Sequence, residues 1–467
     1  MLVKQIRIES LGNSSYIVGS QDAKICAVID PARDVDLYIR EAEALGMKIA
    51  YALETHLHND FISGSRELAA RTGCPIAASA VGGLAFDHRA LKPGDTINIG
   101  EVRLQVIATP GHTPEHISFE ATDTSKGGGS HALFSGGALM VGGVARSELL
   151  GKQLAPFLGR WFHRTITREF KPLDDAIDVY PTHGGGSFCM ASASTGGSHA
   201  TTTTIGQERR TNPFFMAETE EDFLQLALGD LPSYPAYYKR MSAINRQGPK
   251  ILGWLPQLFP LSSKEVWTRV QGDGIAIDTR KPDAFTAGHI PRAYSITAGD
   301  TLGTWVGWLV EPGKPLVFVL DDPSKSESLV RQLIRIGYDS LDGYLEGGMD
   351  AWRKARLPVS TLKTASAKEL YRKLETGHGP QPLDVRFAHE WQGGHLPGAL
   401  KIELGDLPEH TGGLPRHMAY ATVCAACFRA STAASILERE GFNDVTLLVG
   451  GNNAWKESGL PLEGRQN

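Results

Sequence analysis

Short apolar runs alternate with glycine-rich polar breaks through residues 1–250. SYIVG, AVIDPA and AYALETH have the β-branched and aromatic content of strands bounded by turn formers. DVDLYIREAEALG and SRELAARTG, between such runs, are predicted as helices. Strands and helices interleaved in this way predict an α/β or layered α/β/α fold. Residues 191–204 are low in complexity and read as a loop, followed by a polar helix over TIGQERRTNPFF. At 248–263, glycine and proline occur without periodicity, so this stretch is read as a linker out of the first domain.

The remainder of the chain repeats itself. IDTRKPDAFTAGHIPRA (277–293) matches LDVRFAHEWQGGHLPGA (383–399), and RIGYDSLDGYLEGGMDAW (335–352) matches REGFNDVTLLVGGNNAW (439–455). The offsets are 106 residues and close to 103, the length of one small α/β domain. Three domains are therefore expected: 1–250, 261–360 and 364–467. A chain of 467 residues is in any case too long for one ordinary core.

Composition narrows the function classes. A formal net charge of −5 argues against nucleic acid or an anionic membrane as the main partner. No apolar run approaches the roughly 20 residues of a membrane-crossing helix. The start, MLVKQIRIESLG, enters a strand pattern without the apolar core of a secretion signal. Cys26, Cys74, Cys189, Cys424 and Cys427 are few and irregularly spaced, which points to free thiols in a reducing cytoplasm.

An Asp-x-Arg after a strand, a Gly-His-apolar-Pro turn and a late Gly-Gly-x-x-Ala-Trp occur in both repeats, and each repeat resembles a rhodanese domain over its whole length. The two differ in the loop after the central strand. In the second copy it reads ATVCAACFRASTAASILERE, with Cys424 ending the strand and Arg429 closing the loop. A free thiol has a pKa near ~8.5, and a tight loop before a helix N-terminus aims N–H groups and the positive end of the dipole at it. Cys424 is thus the candidate sulfur-carrying nucleophile. Cys427 makes a Cys-x-x-Cys with it, either as a resolving thiol or as a neutral small replacement. The first copy reads PLVFVLDDPSKSESLVRQLI, which is expected to put Asp321 at the nucleophile position and leave that copy silent. The two tryptophans of GDTLGTWVGWLVEP are read as core.

ALETHLHNDFISG places His56, His58 and Asp60 after an apolar strand; TPGHTPEH then supplies His112 and YPTHGGGSFC supplies His183. These segments, in this order, resemble the metallo-β-lactamase superfamily, and VIDPARDVD, FISGSRELAARTG, GSFC and ERRTNP extend the resemblance to persulfide dioxygenases fused to rhodanese domains. The fold implied is an αββα sandwich followed by two rhodanese-like α/β domains. The resemblance implies one Fe(II), or Zn, held by His56 and His112, with Phe61 standing where two-metal members carry a histidine. The expected aspartate is replaced by Gly137, and Gly143 stands where another is usual. Two neutral imidazoles compensate a dication poorly, so the site is expected to be weakened or metal-free unless His58 swings in as a third ligand. Arg209 and Arg210 are candidates for gripping substrate carboxylates, exposed helix charges being the alternative, and Cys189 and His183 are further substrate-side candidates.

The favoured function is a sulfurtransferase working through Cys424 on thiols, persulfides and thiosulfate, joined to a persulfide-dioxygenase-like domain with an impaired metal site. The alternatives are a working iron-dependent glutathione persulfide dioxygenase fusion, releasing sulfite and glutathione, and a non-catalytic sulfide-responsive binding protein. A thioester hydrolase fits least, with ligands broken at both Phe61 and Gly137. No nucleic acid or membrane partner is expected, and self-association is left open.

Overall fold

The computed structural model describes residues 1–126, 130–184, 187–191, 200–229 and 231–464. It divides into two compact units, one of Met1–Leu255 with Ile334–Gly337, the other of Pro256–Leu333 with Tyr338–Asn467.

The first unit contains two six-stranded sheets. Leu2–Ile8, Asn13–Ser20, Ile25–Ile29, Lys48–Leu53, Ile76–Ser79 and Arg89–Leu91 are neighbours in that order in one sheet. Thr203–Thr204, Asp178–Pro181, Ser130–Gly136, Ile117–Asp123, Val102–Ala108 and Thr96–Ile99 follow one another in the second. Alternate residues of Val102–Ala108 are buried, the period-two pattern of a strand with one face in a core. Leu104, Val106, Phe119 and Phe134 of the second sheet share one apolar cluster with Tyr16, Val18, Ile29 and Leu53 of the first. Outside the first sheet, Tyr38 and Leu68 bring the helices Asp36–Ala44 and Ser65–Thr72 onto Val28 and Ile49. Phe162, Phe214 and Phe223 pack the helices Ala155–Thr165, Pro213–Met216 and Glu220–Ala227 against Leu133 and Val179 of the second sheet. The arrangement is the αββα sandwich expected. The predicted polar helix is broken at Asn212 into Ile205–Thr211 and Pro213–Met216, because the Asn212 side chain accepts from the Phe214 N–H and caps a second helix. Most of the low-complexity stretch, residues 192–199, lies outside the described residues.

The second unit contains two parallel five-stranded sheets of identical order. In one, Pro260–Leu261, Leu341–Leu345, Leu316–Val319, Ile275–Asp278 and Tyr294–Ser295 are neighbours; in the other, Lys363–Ala365, Val445–Leu448, Tyr420–Val423, Gln381–Asp384 and Leu400–Lys401. The repeated motifs make repeated bonds. Arg280 grips Asp278 through Nε and Nη2 at 2.9 and 2.6 Å, and Arg386 grips Asp384 at the same distances. Trp352 and Trp455 each donate from Nε1 at 2.8 Å to a proline carbonyl six residues on.

The copies also pack on each other. Helix Phe428–Arg439 of the second lays its buried Ser431, Thr432 and Ser435 against Ser295 of the first: the Ser295 N–H donates to Ser435 Oγ at 3.0 Å, the Ser295 and Ser431 hydroxyls lie 2.7 Å apart, and Thr432 Oγ1 donates to the Ser295 carbonyl at 2.6 Å. Trp305 and Trp308 are buried, as expected for core, but they form the join between copies. Their rings stack at 5.3 Å and face Phe387 and Phe428 of the second copy.

Candidate functional site

Cys424 follows strand Tyr420–Val423 directly and is buried. Residues 424–427 then turn into helix Phe428–Arg439, so the thiol lies beneath that helix's N-terminus. Burial pushes the Cys424 thiol up, while the backbone N–H groups of Ala430 and Ala426 and the Arg429 guanidinium pull the other way. Arg429 closes the loop as expected. It forms a bidentate pair with Glu390 at 2.5 and 2.9 Å and lies 5.3 Å over the Phe387 ring. The Cys427 sulfur accepts from the Gly450 N–H at 3.1 Å. The Gly450–Gly451 turn buttresses the loop further: the Asn452 and Asn453 N–H groups donate to the Cys424 and Ala425 carbonyls at 2.7 and 3.0 Å. At Gly451, φ is +57° and a Cβ would collide with the Cys424 and Ala426 carbonyl oxygens.

The first copy's loop corrects one expectation. Asp278 is in register with Val319, as Asp384 is with Val423, so the residue matching Cys424 is Leu320 and not Asp321. The first copy's helix begins two residues later and is two residues shorter, Ser326–Arg335 against Phe428–Arg439, and the turn Pro323–Lys325 that Asp322 caps fills the difference. Neither residue carries sulfur. A Cβ at Gly348, the counterpart of Gly451, would meet nothing within 4 Å. The glycine pair survives there without a loop to support.

In the first unit the histidines converge at the ends of strands. His56 and His58 follow Lys48–Leu53, His112 follows Val102–Ala108 and His183 follows Asp178–Pro181. All four are buried. The Nε2 atoms of His56 and His183 lie 3.2 Å apart. His56, His58 and His183 offer three nitrogens within 4.8 Å of one another; His112, His183 and Cys189 make a second such group, and Asp30, Glu54 and His58 a third. His58 is held away from the centre, with Nε2 3.1 Å from Glu54 and 3.4 Å from Asp30 and its ring stacked 4.1 Å from Phe61. His183, read from sequence as a substrate-side residue, sits among the candidate ligands. A pocket of about 440 Å³ opens beside His56 and His58, with Arg66, Ser79 and Glu115 also on its walls.

Burial, then the neighbouring histidines, holds His56 well below the usual imidazole range, and the same causes bring His112 to about 3. For His58 burial acts in the same direction, but Asp30 and Glu54 outweigh it and lift the ring to about 10. Asp60 lies 3.3 Å from His183 Nδ1 and accepts from Asn13 at 2.6 Å; these partners overcome burial and hold it at about 2. Gly137 donates its N–H to His116 Nε2 at 3.0 Å. A Cβ there would come within 2.9 Å of Ala145 Cβ and His112 Cδ2 and 3.2 Å of His183 Cδ2, so the carboxylate's place is taken up by its neighbours.

Other expected residues fall as follows. Arg209 is committed to Asp175 and to the Lys171 and Leu173 carbonyls, so the reading of it as a substrate grip is replaced by a packing role, and Arg210 is exposed on the same helix. The work of ERRTNP falls to Glu208 and Asn212, which hold the loop at Gly142 and Gly143. Cys189 is fully buried, and burial raises its thiol well above the ordinary value. Glu390, Asn13, Asp30 and Glu54 were not singled out from sequence. Comparing the repeats could have found Glu390, which the first copy replaces by Ala284.

Comparison with known proteins agrees with this geometry. The rhodanese-like domain pattern matches residues 262–355 and 366–458, and the metallo-beta-lactamase superfamily pattern matches 9–183. The human mitochondrial persulfide dioxygenase ETHE1 is 30% identical over 213 residues, covering 44% of this chain and 73% of that one. A hydroxyacylglutathione hydrolase of Rhodospirillum rubrum is 36% identical over 146 residues, 31% of this chain, which spans about half (54%) of that relative. A crystal structure of a metallo-beta-lactamase from Staphylococcus aureus is 29% identical with a TM-score of 0.65, covering 74% of this chain and 98% of that one. From the paired sheets, the doubled rhodanese sheet and these matches, the chain belongs to the metallo-β-lactamase superfamily as a persulfide-dioxygenase-like member fused to two tandem rhodanese-like domains.

Proposed function

We propose that this protein handles sulfane sulfur as a rhodanese-type sulfurtransferase acting through Cys424, with the second repeat (364–467) as the working domain and the first (261–360) as a silent platform. The observation that carries this is the Cys424 loop, whose thiol faces loop amides and the closing Arg429, while the first copy has Leu320 at that position and its glycine pair packs against no loop. The Cys424 thiolate attacks the outer sulfur of thiosulfate, the S–S bond breaks, and sulfite leaves with the electron pair. The persulfide anion left on Cys424 faces the N–H groups of Ala426 and Ala430. A thiolate or cyanide then takes the outer sulfur and restores Cys424. Arg429, fixed by Glu390, supplies positive charge beside the anion. Cys427, turned to Gly450, serves as a packing residue.

The N-terminal domain (1–250) is proposed to take small persulfides of low-molecular-weight thiols into the pocket beside His56 and His58. Its donor set suits iron or zinc: the His112 Nε2 atom is buried without a hydrogen-bond partner, and the Nε2 atoms of His56 and His183 lie 3.2 Å apart. Such a metal would supply a Lewis-acidic cation for a persulfide anion. Oxidation of such a persulfide by dioxygen and water to sulfite and the free thiol, the second reading, is favoured by this nitrogen cluster and by the ETHE1 relative. Among the described residues no helix is long and apolar enough to cross a membrane, and a cytoplasmic location is proposed. Thiocyanate formation from thiosulfate and cyanide tests the main proposal. Cys424→Ser is expected to abolish it; an unchanged rate would refute the assignment and leave a non-catalytic binding protein.

A further inference from the structure

Glu54, Arg66 and Glu115 line the pocket beside His56 and His58, and they differ in what their hydrogen bonds leave over. Glu54 is used up: Oε1 accepts from the Ser63 and Ser65 hydroxyls, and Oε2 faces His58 Nε2 at 3.1 Å. Glu115 is not. Its Oε1 accepts from the Leu57 N–H at 2.8 Å and from the Thr113 hydroxyl at 2.7 Å, and Oε2 has no hydrogen-bond partner among the described residues. The residue is only 5% exposed, so a carboxylate withdrawn from bulk water keeps one open oxygen on a pocket wall. Such a group is stabilised by whatever brings a donor to it, a cationic donor most of all. The two bonds on Oε1 fix the carboxylate before any ligand arrives. Arg66, in helix Ser65–Thr72, donates from Nη1 to the Pro249 carbonyl at 2.6 Å and lies 5.3 Å over the Phe86 ring. Nε and Nη2 of its fork are left for a ligand. Leu57, Leu84 and Phe86 make the wall otherwise apolar.

Taking this pocket as the persulfide site, we infer that it is built for a short thiol or persulfide carrying both an ammonium and a carboxylate, a cysteine-type head, and that Glu115 selects the ammonium. Glu115 Oε2 accepts from the ammonium and Arg66 donates to the carboxylate, one charge-assisted bond at each end. Both groups share a single cavity of about 440 Å³ with His56, so the chain between head and sulfur is short. A thiol without the ammonium covers Glu115 with carbon and leaves Oε2 desolvated and unpaired. That penalty rejects it, by the rule that a site built to bond a polar group discriminates against ligands lacking one. A Cβ at Gly82, another wall residue, would stand 3.6 Å from Glu115 Cγ, so the glycine keeps this flank of the carboxylate open.

Titration calorimetry of the purified full-length chain with free thiols, without oxygen, reads the selection apart from any turnover. Cysteine carries both charges, cysteamine the ammonium alone, 3-mercaptopropionate the carboxylate alone and 2-mercaptoethanol neither. Cysteine is expected to bind roughly tenfold more tightly than either singly charged thiol, with 2-mercaptoethanol the weakest. Glu115→Gln keeps an oxygen for Leu57 and Thr113 and removes the charge. It should erase the preference for cysteine over 3-mercaptopropionate and keep the preference for cysteine over cysteamine, a split that a loosened pocket would not give. Thermal melting checks that the variant is folded, and the wild-type series stands as a test without it. Equal affinity of the wild type for cysteine and 3-mercaptopropionate would overturn the inference, as would no thiol binding at all or an unchanged ratio in folded Glu115→Gln. Oxygen uptake with the persulfides of the same thiols is a separate readout. Its absence beside the expected binding order would refute persulfide oxidation and leave the selection at Glu115 standing.

Discussion

At Cys424 two opposing effects act on one sulfur. Burial disfavours the thiolate and raises the thiol, and the loop N–H groups with Arg429 recover only part of that. The reactive form is the anion, so the raised pKa leaves little of it at neutral pH, and the first turnover should speed up as pH rises. Sulfite release from thiosulfate in a single turnover is expected to climb about tenfold per pH unit between about pH 7 and 9. Arg429→Ala should move that curve to higher pH, and a flat wild-type profile would show that another step limits the rate. Gly137 raises the opposite problem, a site with no room. Restoring the family's aspartate by Gly137→Asp puts Cβ 2.9 Å from both Ala145 and His112. The change is expected to cost about 1–3 kcal/mol of stability and to add no metal, read by thermal melting and metal analysis. A gain of bound iron with an unchanged melting temperature would show that the pocket relaxes around a carboxylate.

At the scale of elements, the same Gly-Gly turn occurs twice and supports a loop only once. Gly451→Ala is expected to destabilise the second unit by about 2 kcal/mol or more and to suppress sulfurtransferase activity, because the new methyl meets the Cys424 and Ala426 carbonyls at positive φ. Gly348→Ala, at φ +58° in open space, should cost only the backbone strain of about 1 kcal/mol and leave the activity intact. Paired melts and assays distinguish the two, and equal effects would contradict the buttress. The elements themselves were legible: strand runs, helices and the repeat all carry short-range patterns, and the sheets follow them. The loop match at Asp321 was not, because the strand register that sets Leu320 against Cys424 is visible only in space. The histidine segments were legible as a site. The place of His183 within it was not, since it depends on Asn13, 170 residues away, and on Asp60, which orient the ring. Arg209 looked available because sequence shows its charge and not the Lys171 and Leu173 carbonyls that occupy it.

Across the second unit, the first copy, which contains no cysteine, is tied to the second by what it touches. Trp305 and Trp308 stack as a pair against Phe387 and Phe428, and Phe387 is the ring on which the Arg429 guanidinium rests. A Cβ at Gly405 of the second copy would run into the Trp308 indole, so the surface is shaped to receive that side chain. The helix that follows the Cys424 loop is bonded through Ser431, Thr432 and Ser435 to Ser295 of the first copy. The orientation of that helix sets which N–H groups reach the sulfur, and three residues of its buried face are bonded to the neighbouring copy. A copy without a cysteine thus fixes one wall of the Cys424 loop. Replacing both tryptophans by alanine should destabilise the second unit by roughly 3–5 kcal/mol, less than the sum of the single changes because the rings pack on each other. Sulfurtransferase turnover should fall with it. If turnover at Cys424 survives the double change at a temperature where the protein remains folded, the first copy is a spacer and the loop is self-sufficient.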